Sequence, residues 1–375
     1  MSASPVGRVY RCPPGRRGPP GASGSLAAIF VGLAAGGKVH PAGNRRAPGV
    51  LCSPMVHSAR AVPVPVRRRL LALIAAGAMV SAAVALVAGG CVVRHAVPTV
   101  RGIEVTTPAP AGAAPTPTLH AEAPRPLRLV TYNVHREPGA RIADALRAEP
   151  ALRDADVIVM QEVHRAESTP GHGGGCSGAC QLARELGYHA VYAPGHVQDD
   201  GTDGVAILAR VPLEDAQVIE LPMVSTTLNT IRVIALAATV RVDGQPLTVY
   251  AVHLANRITV ANRRRQMEPV LAHAATHATP AVIAGDVNTS PFTWIGGLVP
   301  VLTTTQGRRL EALVRRHGFA TPVTGSGATS RYLGMRLDAI YTRGVDVGRH
   351  GVADGAGLSD HLALWADITP GTDPR

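Results

Sequence analysis

Asp243-Gly244 stands between two apolar runs, IRVIALAATVRV and PLTVYAVHL. An Asp-Gly pair readily adopts the positive backbone angles of a two-residue hairpin, so the flanking runs should pair as antiparallel strands. That turn excludes an all-parallel sheet. Other short apolar runs read as strands: LRLVTYNV, DADVIVMQEV, GVAILARVPL, AVIAGDVNTSP, RLDAIYTRG and HLALWADI. GARIADALRAEP (closed by Pro150), QLARELGY and the stretch from Thr259 to His277 read as helices. The expected architecture is mixed α/β (α+β), with two packed mixed β-sheets flanked by helices. It spans residues 127–369, with a tail at 370–375. The sequence shows no internal repeat and no glycine-rich phosphate loop.

The first 126 residues are of another kind. A net charge of +11 suggests a polyanion partner, but residues 1–126 hold 14 basic residues against Glu104 and Glu122 alone. Residues 127–375 hold 23 arginines against 24 acids, so the excess lies wholly upstream. Arg67-Arg68-Arg69 precedes an uncharged stretch from Leu70 to Gly90. A basic flank before such a run describes a signal peptide, and its length also suits a membrane-spanning helix. The following Ala88-Gly89-Gly90-Cys91 resembles a bacterial lipobox, in which the cysteine receives lipid, although Ala88 replaces the usual leucine. Lipidation at Cys91, an uncleaved anchor and cleaved secretion all put the C-terminal domain outside the cytoplasm. We read 1–54 as an over-extended start, with Met55 opening the export segment 55–91. Residues 92–126 read as a Pro/Ala/Thr-rich tether. Cys176 and Cys180 are the two cysteines of the domain. An oxidising compartment favours a disulfide between them, with two free thiols or a Cys/His site with His172 as alternatives.

Strand after strand in the domain ends in an acid, an amide or an imidazole: Asn133, Glu162, His253, Asp286 with Asn288, Asp338, and Asp360-His361. Each alone has an ordinary explanation as a cap or turn residue. Six such ends in one domain point to chemistry at a sheet edge. Hard oxygen donors such as Glu162, Asp360 and the Asn133 amide suit Mg²⁺ or Mn²⁺. Asp286 is placed to activate water, with Asn288 holding it in line. His361, oriented by Asp338, and His253 are placed to stabilise or protonate phosphoryl oxygens. This is the chemistry of phosphoester hydrolysis.

The ordered series TYNVH, MQEVHR, VHLANR, AGDVNTS, RLDAIY and LSDHLAL resembles the endonuclease/exonuclease/phosphatase family. The resemblance implies a deoxyribonuclease I-like four-layered sandwich with a Mg²⁺-dependent site at one edge. It matches Asn133, Glu162 and Asp360 to metal positions, and Asp286 with Asn288 to the water-activating and phosphate-binding pair. Asp338 with His361 match the Asp–His pair, and Arg257 a phosphate contact. The histidine of VHLANR sides with the deoxyribonuclease I, sphingomyelinase and phosphatase branches. In deoxyribonuclease I a glutamate pairs with that histidine, and Asp203 is the nearest carboxylate here. Arg263, Arg264 and Arg265 read as a solvated helix face.

The expected activity is exported phosphodiester hydrolysis on nucleic acid or on a phospholipid- or sphingomyelin-type headgroup. The domain's near-zero charge and the chain's 3% aromatic content argue against a strong polynucleotide grip. An exposed apolar loop beside the site would favour lipid; Pro291 to Leu302, PFTWIGGLVPVL, is the candidate, a buried helix being its alternative. A non-catalytic binding domain predicts decay at the strand-end positions, and none is seen. Nothing points to a protein partner, and a monomer held at a membrane by lipid or by an N-terminal helix is expected.

Overall fold

The Asp243-Gly244 turn forms as read, with φ of 49° and 78° at its two residues. The structure is a computed structural model that describes residues 102–108, 125–166, 175–198, 200–224 and 232–371, all within one compact unit. Met55, the export segment 55–91 with Cys91, residues 109–124 of the tether, His172 and the last four residues of the tail lie outside the described residues. Among the described residues no helix is long and apolar enough to cross a membrane.

One sheet has seven strands: β1 (Glu104–Thr106), β2 (Leu127–Asn133), β3 (Val157–Ala166), β4 (His189–Gln198), β5 (Gly201–Ala209), β13 (Val345–Ala353) and β14 (Ala363–Pro370). Their order is β1-β4-β5-β3-β2-β14-β13. The other comprises β6 (Glu214–Glu220), β7 (Ile234–Val242), β8 (Gln245–His253), β9 (Ala281–Asp286) and β12 (Asp338–Arg343), ordered β12-β9-β8-β7-β6. Strands β10 (Phe292–Ile295) and β11 (Val299–Leu302) form a separate hairpin. The helices are α1 (Gly139–Ala148), α2 (Gly178–Leu186), α3 (Val260–Ala275) and α4 (Gln306–Arg316).

Three apolar layers follow from strand alternation. Leu129, Val159, Val249, Ala284 and Ile340 point between the sheets. The residues next to them point outward: Val130 and Met160 pack on α1 and α2, while Tyr250 and Ile283 pack on α3 and α4. The result is a helix–sheet–sheet–helix sandwich, as expected.

The structure departs from the sequence reading in several places. Glu104–Thr106, inside the stretch read as tether, pairs with β4. Glu104 accepts hydrogen bonds from the Ser177 N–H (3.3 Å) and hydroxyl (2.8 Å) and pairs with Arg165 at 3.1 Å. Ser177 caps α2 between Cys176 and Cys180, which are joined in a disulfide with their Cα atoms 5.5 Å apart. Pro291–Leu302 is no buried helix: Gly296 and Gly297, at φ of 61° and 77°, turn it into an exposed hairpin. The arginine run on α3 is not a uniformly solvated face either. Arg263 is 1% exposed, because it shares the inward face with Met267, Val270 and Leu271. Its Nη1 donates to the Gln306 side chain.

Gly285 illustrates how tightly β8 and β9 approach. It has φ of 148°, and a Cβ there would lie 1.9 Å from the Val252 carbonyl oxygen. Gly285→Ala should destabilise the fold by about 3 kcal/mol or more in urea unfolding. Gly325→Ala, where a Cβ meets nothing within 4 Å, should change it little.

Candidate active site

Two parallel strand pairs build the site. β2 runs parallel to β3, and β8 to β9. Their carboxyl ends therefore lie together at one edge of the sandwich. Asn133, His253 and Asp286 are the last residues of β2, β8 and β9, each two positions beyond an inward-facing residue (Thr131, Ala251 and Ala284). Asp338, the first residue of β12, pairs in register with Asp286, which pairs in turn with His253. The inward rows that are apolar along the core thus turn ionisable at a single edge.

Glu162 reaches this edge by a different route. Alternation from Met160 would send it toward the helices. A β-bulge between Gln161 and Val163, with φ of 52° at Glu162, inserts one residue and re-aims the side chain. The Glu162 Oε1 then accepts from Asn133 Nδ2 at 3.0 Å.

Asp286, 2% exposed, is the centre of the cluster. Its Oδ2 accepts from Asn133 Nδ2 at 3.2 Å and lies 3.6 Å from both His253 Nε2 and His361 Nε2. Its Oδ1 accepts from the Asn288 N–H at 2.8 Å. Asn288, at φ of 51°, donates its amide to the Leu254 carbonyl at 2.8 Å and so ties the ends of β8 and β9 together. His361 Nδ1 bonds Asp338 Oδ2 at 2.8 Å. The Asp338 N–H donates to Thr329 Oγ1 at 3.1 Å. His253 Nε2 stands 4.0 Å from Glu162 Oε1.

Burial, followed by the neighbouring Asp338 charge, pushes the Asp286 carboxyl above the usual range, opposed by the two imidazoles. For His361, burial alone would lower the pKa, but the Asp338 and Asp286 carboxylates overcome it and raise it to about 10. His361 is therefore an imidazolium at neutral pH, with its Nε2–H directed at Asp286.

The donor set fits a divalent cation. Carboxylate oxygens of Asp286 and Asp338 lie within 4.8 Å of one another beside the His361 ring, and Asp338 Oδ1 is a buried oxygen with no hydrogen-bond partner. The Glu162 carboxylate, linked to Asp286 through Asn133 Nδ2, adds a hard oxygen, and no thiol is among these groups. Asn133 is held by hydrogen bonds on both sides of its amide. Its Oδ1 accepts from the His135 N–H at 3.2 Å, which fixes the amide so that Nδ2 faces Glu162 and Asp286.

The edge thus gathers Asn133, Glu162, His253, Asp286, Asn288, Asp338 and His361. Asp360 follows on the exposed side, with the Ser359 hydroxyl 3.4 Å from its carboxylate. Arg257 is exposed, at φ of 49°, with its guanidinium 5.6 Å above the Trp294 ring. Asp203 is not the partner of His253. It lies opposite His164 in the β3–β5 ladder, bonds His164 Nδ1 at 2.8 Å and pairs with Arg136 at 2.7 Å; Glu162 and Asp286 face His253 instead. Sequence reading also missed Thr329, which holds the start of β12. It missed Arg263 as well, whose guanidinium is lowered to about 10 by burial, opposed by the Asp286 charge. Nothing in the local sequence marks either residue.

The His361 imidazolium, followed by NMR, should stay protonated through neutral pH and titrate near 10. Asp338→Asn should bring its midpoint down by at least about one unit, because it removes an adjacent negative charge. An unchanged midpoint would contradict the pairing.

Residues 130–361 match the model of the "Endonuclease/Exonuclease/phosphatase family". No curated protein is a significant match. Among solved structures, the chain is similar to an endonuclease/exonuclease/phosphatase from Beutenbergia cavernae, at 25% identity and a TM-score of 0.53. That alignment covers 66% of this chain and 72% of the other. It also shares its fold with a family protein from Leptotrichia buccalis, at 17% identity and a TM-score of 0.51, covering 65% of this chain and 99% of the other. The family model spans more than half of the chain, over the same strands that carry the edge cluster, and the chain belongs to the endonuclease/exonuclease/phosphatase family.

Proposed function

We propose that the chain is an exported, divalent-metal-dependent phosphodiester hydrolase. The observation that carries this reading is the Asp286-centred cluster, in which an acid, two imidazoles and further carboxylates converge on one edge. Export is supported by the Arg67–Arg69 flank and the uncharged run to Gly90.

Water attacks phosphorus in line with the leaving oxygen, and its proton passes to the Asp286 carboxylate. Burial raises the proton affinity of that carboxylate, which suits a base, while His361 keeps it ionised at rest. The new P–O bond forms as the ester P–O bond breaks. His361, held cationic by Asp338, donates its Nε2–H to a non-bridging oxygen as charge builds there. His253, more open to solvent than His361, supplies the proton that the departing oxygen needs. Asn133 and Asn288 keep Glu162 and Asp286 in place through their N–H groups. A Mg²⁺ or Mn²⁺ ion on Glu162 and Asp360 would neutralise phosphate charge.

Hydrolysis of bis(p-nitrophenyl) phosphate should require Mg²⁺ or Mn²⁺, stop with chelator and return when the ion is restored. His361→Ala and Glu162→Ala should each lower the rate by about 100-fold or more while the fold is retained. Wild-type rates in both variants would remove the site from the mechanism.

A further inference from the structure

The exposed large apolar side chains are not scattered over the described surface. Five of them belong to the β10–β11 hairpin, with Ile295 64% and Leu302 72% exposed. The hairpin follows Asn288 by three residues, and its whole stretch from Pro291 to Leu302 carries no charge. Two more, Tyr332 and Leu333, tip the loop between Thr329 and Met335. That loop is fastened to the site from both sides. The Arg331 N–H donates to the Asp360 carbonyl, and Ser330 bridges to His361. Another, Met223, follows Pro222, whose carbonyl accepts from Gln266, the residue that also binds the Ala255 N–H just past His253. Val105 in β1 is the remaining one.

Water-exposed apolar groups concentrated beside one site mark an interaction surface. Its partner follows from the charge around it. The hairpin carries no charge of its own, but Arg257 lies over its Trp294 ring, and the chain that leaves it enters α4 with Arg308 and Arg309 exposed in the first turn. An uncharged apolar hairpin that carries an aromatic residue and has exposed arginines beside it suits an anionic bilayer: apolar side chains meet acyl chains and the cations meet headgroup phosphates. Two of the three readings of the export segment, lipid on Cys91 or an uncleaved Leu70–Gly90 helix, would hold the domain at such a surface.

We infer that the β10–β11 hairpin and the Tyr332-Leu333 loop dock the catalytic edge onto an anionic lipid bilayer, so that the phosphoesters it meets are lipid headgroups. This rests on the phosphodiesterase reading above, and the experiment separates the two. The full chain is reconstituted in phosphatidylcholine–phosphatidylglycerol vesicles with or without brominated acyl chains. Bromine quenching of Trp294 fluorescence is then read, and its loss in Trp294→Phe assigns the signal, since the chain has two tryptophans. Wild type should be quenched, more so with phosphatidylglycerol than without it. An Ile295→Ser/Leu302→Ser double variant should lower the docked-to-undocked ratio by about tenfold or more, because each buried aliphatic side chain is worth roughly that factor. The same variant should release less headgroup phosphate from vesicles yet hydrolyse soluble bis(p-nitrophenyl) phosphate at the wild-type rate. Equal quenching of wild type and double variant, or a Trp294 signal that follows protein concentration instead of lipid, overturns the docking. Failure of wild type to cleave the soluble ester strikes the phosphodiesterase reading and leaves the docking result standing.

Discussion

A carboxylate taken out of water must be given partners, and Asp286 sets the terms for everything around it. Its two oxygens face an amide, a backbone N–H and two imidazoles, each on a different segment. Those segments converge because both sheets contain a parallel pair that ends at the same edge. Without the Asp338–His361 pair, one of the compensating charges would be lost. Without the Glu162 bulge, the Asn133 amide would have one acid to hold instead of two. The cluster is therefore a property of the whole sandwich, not of any loop. Broken at one point, a buried polar network leaves its other members unpaired, which costs far more than the net value of one hydrogen bond.

Much of this was legible in the sequence. The strand runs from Leu127 onward, the Asp243-Gly244 turn and the helix opened by Thr259 all announce themselves through period and turn chemistry. The polar strand ends were legible too, because an ionisable residue that closes an apolar alternation is conspicuous. Of the edge strands, β12 was legible as RLDAIYTRG, but β1, β6 and β13 were not. β6 and β13 alternate only weakly, since one side faces solvent and carries residues such as Glu214 and Arg349. Their pairing is decided by neighbours distant in sequence.

Charge misleads where composition is taken without position. Arg263 lies in a run of three arginines that reads as solvated, yet it is buried against Gln306 behind the site. Asp203 is the acid nearest to the expected partner of His253 in the sequence, yet the ladder sets it opposite His164. Register is a long-range property, and a one-residue difference changes which side chains meet. The Glu162 bulge is the same effect turned to use: one added residue moves a carboxylate from the helix side to the reactive edge.

The short strand β1 has a mechanical meaning. By joining Glu104–Thr106 to the sheet margin, it brings the chain into the fold near Gly102 instead of at Pro126. A lipid on Cys91 would then hold the domain on a leash of about a dozen residues, with a contour of no more than about 40 Å. On a leash that short, an enzyme does not sample the bulk fluid. So tethered, it would search a two-dimensional patch, at a height limited by three residues of backbone pairing.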